Sequence, residues 1–256
     1  MIGGNNDNLD PAVIHLNKDG TVNYELCLKR NLDARLDAVG EFFDDKFVVC
    51  GGYPPKIKMY NCDVIDESDN QTFNMTSDSG RQLGSYVKLN QSTIWITGGR
   101  DTNYDILNST EYVTINGSKA GNDMPIKVAS HCMVMFKPNV ILLIGGNQVR
   151  DPYVFSNKTW VIDLTKDFKM TGGPPLIHVR KGHSCGKMTD EYGNVLVIVA
   201  GGSGTDSVEI LNTTLMEKWI EGESIYFSVC SRQQFFYPRT HTAISDSFFF
   251  NGINKR

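Results

Sequence analysis

The sequence predicts an all-β protein made of repeated four-stranded antiparallel units. A short, β-rich apolar run that ends in a glycine pair recurs along the chain, and no segment shows sustained helical periodicity. Successive copies of this run are 48, 47, 47, 56 and 50 residues apart. A four-stranded unit of this length is what a β-propeller blade requires. The glycine pairs begin at Gly3, Gly51, Gly98, Gly145 and Gly201, and a last remnant ends in Asn251 and Gly252.

The repeats divide the chain into units that we assign to one domain spanning residues 1–256. The first unit predicts a hairpin, with strands at 12–16 and 22–28, because two mainly apolar runs flank a Lys-Asp-Gly turn. Turns rich in Gly, Pro, Asp and Asn separate the later strands, since these residues tolerate tight or left-handed backbone. The units are approximately 1–31, 32–80, 81–126, 127–179, 180–238 and 239–256. The later predicted strands are 36–43, 46–50, 61–65 and 72–76; 85–89, 93–97, 110–115 and 119–123; 131–136, 140–144, 159–164 and 167–170; 183–188, 195–200, 207–212 and 217–221; and 240–245 and 248–250.

Two further positions recur in phase with the glycine pair. A basic residue precedes the first strand of a unit, and a bulky aromatic falls on the fourth strand, where it would wedge between blades. The third strand carries Glu111 and Tyr112 in one unit and Glu209 in another. This pattern resembles the kelch repeat family, which implies a kelch-type propeller over essentially the whole chain. The basic residues are Arg35, Arg81, Lys127, Arg180 and Arg239, and the aromatics are Tyr24, Phe73, Phe168 and Trp219, with Ala120 near the aromatic position of the unit after Gly98.

The number of blades follows less directly from the repeats. The pattern offers five to six blade positions, and the first and last units hold only part of a blade each. Kelch proteins more often close with six or seven blades. The resemblance therefore implies a propeller that is incomplete or truncated at its termini, with an exposed edge strand.

The charge and hydropathy of the chain argue against several partners. The net charge is −4 and the pI is about 5.7, whereas a nucleic-acid-binding surface normally shows a strong basic excess. No apolar run approaches the roughly 20 residues that span a bilayer. Residues 1–10 lack the basic and apolar regions of a signal peptide. We expect neither a nucleic-acid partner nor a membrane span.

Glycosylation motifs and cysteines favour a secreted or extracellular protein, with a cytoplasmic protein as the alternative. Cys50 ends a second strand and Cys62 begins the antiparallel third strand, so the two could form a disulfide. Cys132 and Cys185 lie inside first strands and are interpreted as buried thiols. The Asn-x-Ser/Thr motifs, which are candidate glycosylation sites in inter-strand loops, are at Asn70, Asn74, Asn90, Asn108, Asn116, Asn157 and Asn212.

Three histidines are the only candidates for a metal site. His131, His183 and His241 each begin a first strand and could converge near the central channel. No carboxylate is spaced to support such a ligand set, so we interpret these histidines as repeat residues that pack between blades. We predict no metal, no cofactor and no catalytic residue.

Arginines give a better binding hypothesis. Loops at one end of a propeller bring equivalent positions of every blade around one opening, and guanidinium groups there would suit an acidic peptide. The alternative is that the arginines in repeat phase brace adjacent blades through backbone carbonyls. The candidate ligand-binding residues are Arg81, Arg100, Arg150, Arg180 and Arg239.

The preferred function is a non-enzymatic interaction module that presents its inter-strand loops to a protein or glycan ligand outside the cell. The resemblance implies two alternatives. One is a metal-dependent oxidase or sugar-modifying enzyme built on a kelch propeller. The other is the cytoplasmic substrate-recognition domain of a ubiquitin-ligase or actin-binding adaptor.

Overall fold

The computed structural model describes residues 12–16, 22–26, 35, 37–43, 46–53, 60–66, 70–76, 80–149, 154–203 and 205–222. These residues form a two-stranded hairpin and four four-stranded antiparallel sheets in a propeller arrangement. Strands that are consecutive in sequence are neighbours in each sheet. The all-β fold and the four-stranded unit are therefore confirmed, while the described residues hold four blades where the sequence predicted five to six positions.

The hairpin pairs β1 (Ala12–Leu16) with β2 (Val22–Leu26). Blade 1 contains β3 (Val39–Phe43), β4 (Lys46–Cys50), β5 (Asn61–Ile65) and β6 (Asn70–Asn74). Blade 2 contains β7 (Ser85–Asn90), β8 (Thr93–Thr97), β9 (Thr110–Thr114) and β10 (Gly117–Ala120). Blade 3 contains β11 (Cys132–Lys137), β12 (Val140–Ile144), a 3₁₀ turn (Leu164–Lys166) that follows β13 (Thr159–Asp163), and β14 (Lys169–Gly172). Blade 4 contains β15 (Ser184–Thr189), β16 (Val195–Ala200), β17 (Val208–Asn212) and β18 (Trp219–Glu221).

Some boundaries differ from the prediction for local reasons. The first strand of blade 1 begins at Val39 rather than at residue 36, because Asp37 has a φ of 58° that a strand does not accommodate. The fourth strand of blade 3 begins at Lys169, since Asp167 and Phe168 have φ values of 51° and 56°. The predicted strands at 240–245 and 248–250 lie outside the described residues.

The core lies between neighbouring blades rather than within any one sheet. In the second strand of blade 2, Ile94 and Ile96 belong to the apolar cluster shared with blade 1, while Trp95 belongs to the cluster shared with blade 3. Side chains alternate between the two faces of a strand, so one strand can serve two interfaces. The outer strands β10 and β14 are largely exposed. Each blade therefore depends on its neighbours for burial.

Two of the aromatic residues predicted on the fourth strands, Phe168 and Trp219, contact a neighbouring blade or the segment that links to it. The Phe168 ring centroid is 5.2 Å from that of Trp95 and 6.4 Å from that of Tyr112, both in blade 2. The indole Nε1 of Trp219 donates a hydrogen bond to Pro174 O at 2.8 Å, in the segment that links blades 3 and 4. These side chains therefore help to fix the angle between successive blades.

The glycine pair joins each blade to the next. Its second residue donates a backbone hydrogen bond to the following blade: Gly52 N to Arg81 O at 2.8 Å, Gly99 N to Val128 O at 2.8 Å, and Gly146 N to Arg180 O at 2.9 Å. The first glycine of the pair resists substitution for two reasons: its φ is positive, and a Cβ would clash with neighbouring atoms. At Gly145, where φ is 61°, a Cβ would lie 2.8 Å from Arg180 O and 2.7 Å from His183 Cε1. Contact between blades therefore explains why the glycine pair recurs.

A chain of backbone hydrogen bonds runs from blade to blade beside the first strands. Leu83 N donates to Asp37 O at 3.0 Å, Ser130 N donates to Leu83 O at 2.8 Å, and Gly182 N donates to Ser130 O at 2.7 Å. All four residues have a positive φ between 54° and 60°. The first strands of neighbouring blades also contact one another, so this hydrogen-bond chain marks the inner side of the propeller.

Two disulfides connect strands. Cys50 and Cys62 face each other directly in β4 and β5, with Cα atoms 4.0 Å apart, and are joined as the sequence predicted they could be. Cys132 and Cys185 join β11 of blade 3 to β15 of blade 4, with Cα atoms 6.0 Å apart. The interpretation of Cys132 and Cys185 as buried thiols is therefore wrong, because the first strands of adjacent blades lie close enough to be cross-linked.

Candidate binding face

The ends of the blades form two distinct faces. We call the end where the second strands finish the Gly-Gly face, because the glycine pairs lie there. The opposite end, which carries the tight turns between first and second strands and between third and fourth strands, is the turn face. Among the described residues, the Gly-Gly face comprises 51–53, 80–84, 98–109, 121–131, 145–149, 154–158, 173–183, 201–203 and 205–207. The turn face comprises 90–93, 115–116, 137–140, 164–168, 189–195 and 213–218.

Arg180 belongs to a loop of the Gly-Gly face, but its side chain turns into blade 4. Its side chain is fully buried, and Nη1 donates to Gly201 O at 2.9 Å and to Ser207 O at 3.1 Å. Nη2 donates to Ser207 Oγ at 2.9 Å and to Glu209 Oε1 at 2.5 Å. All these partners belong to the same blade. The guanidinium therefore clamps the end of the second strand to the start of the third.

Arg81 makes the same clamp in blade 2. It is 2% exposed, and its Nη1 donates to Gly98 O and, at 3.1 Å, to Ser109 O, while Nη2 donates to Ser109 Oγ at 2.9 Å. Burial lowers the pKa of Arg81 to about 10, although the charges of Glu111 and Asp123 oppose that shift. Arg35 repeats the arrangement in blade 1. Arg81 and Arg180 therefore contact backbone carbonyls, as the bracing alternative expected, but these carbonyls belong to one blade and not to adjacent blades.

An acidic residue extends the clamp to the preceding blade. Glu209 accepts hydrogen bonds from Ile177 N at 2.6 Å and His178 N at 3.1 Å, both in the segment that follows the fourth strand of blade 3. Glu111 accepts from the backbone N of Thr76, which follows the fourth strand of blade 1, and from its Oγ1 at 2.6 Å. One carboxylate thus connects two blades. We call the arginine, this carboxylate and the backbone donors of the preceding blade the interblade clamp.

Blade 3 replaces this polar clamp by apolar residues. Its equivalent of Arg81 is Val128, whose carbonyl accepts from Gly99 N just as Arg81 O accepts from Gly52 N. Lys127, which the sequence suggested for this position, is exposed. The acidic position is occupied by Trp160, and the donor position is occupied by Pro125, which has no N–H to offer. Donor, acid and arginine are therefore absent together.

Arg100 lies near the inner side of the Gly-Gly face but is also buried, with 6% of its surface exposed. When the Asn147 amide is oriented to satisfy both of its groups, Oδ1 accepts from Arg100 Nη2 at 3.0 Å and Nδ2 donates to Ala129 O at 3.1 Å. Burial raises the pKa of the Asp37 carboxyl to about 6, and the Arg100 charge opposes this shift. Arg100 therefore belongs to an internal polar group. Arg150 and Arg239 lie outside the described residues.

The two described histidines pack between blades. His131 Nε2 is 2.9 Å from Thr97 Oγ1 of the preceding blade, and the His183 ring packs against Gly145 of the preceding blade. Burial lowers the pKa of both imidazoles to about 3, and the nearby charges of Arg81 and Arg180 lower the pKa of His131 and His183, respectively. Both rings are therefore neutral at physiological pH. No group of three His, Cys, Asp or Glu within the described ranges could hold a metal ion, and His241 lies outside them.

The Gly-Gly face carries an exposed apolar surface that sequence reasoning missed. Six of the ten exposed large apolar side chains among the described residues lie on it: four aliphatic residues together with Tyr53 and Tyr104. The aliphatic residues are between 46% and 55% exposed. We call them the aliphatic patch; they are Val149, Val154, Ile177 and Val179.

The segments that carry the aliphatic patch lie side by side at the junction of blades 3 and 4. Asn147 bridges Phe155, and Ser156 bridges Arg180. Ser156 N donates to Gly146 O at 2.9 Å, and Arg180 N donates to Ser156 O at 3.2 Å. The signal of this patch in the sequence is the apolar character of these loop residues.

Polar groups border the aliphatic patch. The Lys181 ammonium lies 4.8 Å from the Phe155 ring centroid, and His178 Nε2 lies 2.9 Å from Glu221 Oε1. Lys158 is exposed at the start of the third strand of blade 3. An apolar centre with a polar border is the usual composition of a protein-binding surface.

Comparison with known proteins supports the fold alone. No protein-family model matches the chain. No curated protein matches it. Solved structures do resemble it: the structure of YjhT aligns with a TM-score of 0.63 and 13% sequence identity, covering 76% of this chain and 72% of that chain. The two chains therefore share the fold.

No helix within the described part of the chain is long and apolar enough to cross a membrane.

Proposed function

We propose that this propeller is a non-enzymatic interaction module of the kelch type that binds a protein partner through its Gly-Gly face. The aliphatic patch is the observation that carries this proposal. Contiguous exposed apolar surface on a folded chain marks interaction sites, whereas isolated apolar residues do not. Here four aliphatic side chains come from three paired segments of one junction.

A protein partner fits the aliphatic patch better than a glycan does. Valine and isoleucine side chains offer no hydrogen bonds, and a carbohydrate site needs polar groups placed to fix its hydroxyls. The guanidinium groups of Arg81, Arg100 and Arg180 are buried and so are not available for that task. Apolar anchors surrounded by polar residues are instead typical of protein interfaces, where a few central side chains supply most of the affinity.

The backbone beneath the aliphatic patch is held in place before any partner binds. Ile177 N and the adjacent His178 N donate to the buried Glu209 carboxylate, and Arg180 N donates to Ser156 O. A surface whose backbone is already ordered loses less conformational entropy on binding. The interblade clamp therefore also supports the binding surface.

We further propose an extracellular or luminal location. Disulfides persist mainly in oxidising compartments, and the structure joins Cys50 to Cys62 and Cys132 to Cys185. Protein isolated from its native cells should therefore resist thiol alkylation at these four cysteines until it is reduced. Four alkylated thiols before reduction would instead favour the cytoplasmic adaptor.

A paired set of surface variants tests the binding face. The variant V154D/V179D places two charges in the aliphatic patch, and the control Y192D/L215D places two charges at exposed apolar positions of the turn face. Each protein is used to stain cells that display a library of extracellular domains. We expect a partner that keeps its affinity for the control and loses roughly tenfold or more for the patch variant. A partner whose binding is weakened only by the control would overturn the assignment of the Gly-Gly face.

A further inference from the structure

Glycosylation motifs of two structural kinds occur in this propeller. In the first kind, the motif residues are part of the blade. Asn108 Nδ2 donates to Met124 O at 3.2 Å, and Thr110 Oγ1, on the hydroxyl residue of the same motif, donates to Asn122 O at 2.8 Å. Thr110 is buried and Asn108 is half-buried. These contacts fasten the start of the third strand of blade 2 to the segment that follows its fourth strand.

The motif at Asn157 is the same structural element in blade 3. Asn157 Nδ2 donates to Leu176 O at 3.2 Å, and Thr159 Oγ1 donates to Pro174 O at 2.8 Å. Thr159 is 2% exposed. Because the contacts of blade 2 recur at equivalent positions, the Asn-x-Thr triplet here is explained by the architecture of the repeat.

The second kind lies at exposed turns of the turn face. Asn90 is exposed, and its Oδ1 accepts from Ser92 N at 2.9 Å and from Ser92 Oγ at 3.1 Å, which brings the amide and the hydroxyl of the motif together in a local turn. Asn116 is exposed in the two-residue turn between β9 and β10, while Ser118 Oγ of the same motif donates to Asn74 O at 3.3 Å, so it is the asparagine that lies free of the blade contacts. An added Cβ on the adjacent Gly117 would meet no atom within 4 Å, so the space around this turn is open.

We propose that N-linked glycans are carried at Asn90 and Asn116, and that the motifs at Asn108 and Asn157 remain unmodified in the folded protein. This inference rests on the extracellular or luminal location proposed above. In the transfer, Nδ2 of the asparagine forms a bond to C1 of an oligosaccharide, and the C1–O bond to a lipid-linked diphosphate breaks. The diphosphate leaves with the electron pair, and the amide proton passes to a base. The saccharide must then lie in solvent.

Folding selects between the two kinds of motif. A saccharide on Nδ2 of Asn108 or Asn157 would replace a hydrogen on a half-buried group that donates to a backbone carbonyl. The saccharide would have to fit beside that contact, so a chain modified there would have to move the half-buried asparagine toward solvent, which disfavours folding and secretion. At Asn90 and Asn116 the saccharide would extend from the turn face. The glycans would then shield one end of the propeller and leave the Gly-Gly face accessible.

Site occupancy in secreted protein tests this inference. The chain is expressed with a secretory signal peptide, and the folded product is treated with an amidase that removes N-glycans in heavy-oxygen water, so that every formerly modified asparagine becomes a labelled aspartate. Peptide mass spectrometry should find high occupancy at Asn90 and Asn116, and several-fold less at Asn108 and Asn157. Equal occupancy of the two kinds, or the reverse order, would overturn the proposal.

Variants separate glycan loss from structural damage. N90Q and N116Q should each remove the mass of one glycan and leave the melting temperature of the enzymatically deglycosylated protein unchanged. N108Q and N157Q should leave the glycan mass unchanged and lower that melting temperature. Secreted protein with both disulfides but no glycan at Asn90 and Asn116 would refute the glycan sites without refuting the extracellular location, which the alkylation of native protein tests separately.

Discussion

Replacing Arg180 by methionine tests the energetic role of the interblade clamp. Methionine keeps much of the side-chain volume but removes the charge, so Glu209 would remain as a buried carboxylate without its cation. Both side chains are 0% exposed in the ion pair. Removing one partner of a buried pair costs about 3–5 kcal/mol, because the remaining charge is poorly solvated. We expect R180M to lower the free energy of unfolding by about 3 kcal/mol, since Glu209 keeps the hydrogen bonds from Ile177 N and His178 N.

Blade 1 supplies the matched control. Arg35 donates to Asp63 Oδ2 at 2.6 Å, but Asp63 is 15% exposed and also accepts from Thr72 Oγ1 at 2.9 Å. Water can therefore reach the Asp63 carboxylate in R35M. This variant should lower the free energy of unfolding by about half as much as R180M does. The double variant R180M/E209Q should be less destabilised than the sum of its single variants, because the amide removes the stranded charge.

Urea unfolding followed by intrinsic fluorescence measures these differences, with the midpoints compared at similar slopes. At the melting midpoint, about 3 kcal/mol corresponds to a decrease on the order of 10 °C for a domain of this size. A cost below about 1 kcal/mol for R180M, or a larger cost for R35M than for R180M, would refute the view that burial of the carboxylate sets the energy of the clamp.

Three further outcomes follow from the structure. Gly145→Ala should destabilise the fold by more than Gly182→Ala, because both glycines have φ near 60° but only the first has atoms in the way, as paired thermal melts would show. Because the pKa of Asp37 is raised in the folded state, its stabilising contribution is present below pH about 4 and is lost as pH rises to about 6. The D37N variant does not titrate at this position, so its stability relative to wild type should increase across that range by at most about 3 kcal/mol, as measured by urea titrations. Replacing Cys132 and Cys185 by serine should lower the free energy of unfolding by about 4 kcal/mol, because their disulfide closes a loop of 53 residues. Reduced wild type is measured under the same conditions for comparison.

Local spacing was sufficient to predict the four-stranded unit, although the described residues hold four blades and not the five to six positions expected. The glycine pairs mark both the end of the second strand and the contact with the next blade, so a fixed period in sequence becomes a fixed period in space. The Cys50–Cys62 disulfide could likewise be predicted from the sequence, since both residues lie at one end of two adjacent antiparallel strands. Cys132 and Cys185 were not, because their contact depends on how two separate blades pack.

Residue type alone did not show which of the candidate arginines face solvent. The sequence does not distinguish an arginine that faces solvent from one that faces the interior. The hydrogen bonds to the carbonyls of Gly201 and Ser207 show that Arg180 turns inward. The position of Lys127 was misassigned because its charge resembled the repeat, although the hydrogen bond from Gly99 selects Val128. The exposure of Val154 was hidden for the opposite reason, since valine is usually buried.

The backbone hydrogen bonds along the inner side of the propeller have a direction. In each one the acceptor belongs to the earlier blade and the donor to the later one: Asp37 O precedes Leu83 N, Leu83 O precedes Ser130 N, and Ser130 O precedes Gly182 N. A chain emerging from the ribosome therefore presents each acceptor before its donor has been synthesised. Successive blades can be added in the order of translation, each one docking onto a template that its predecessor has already provided.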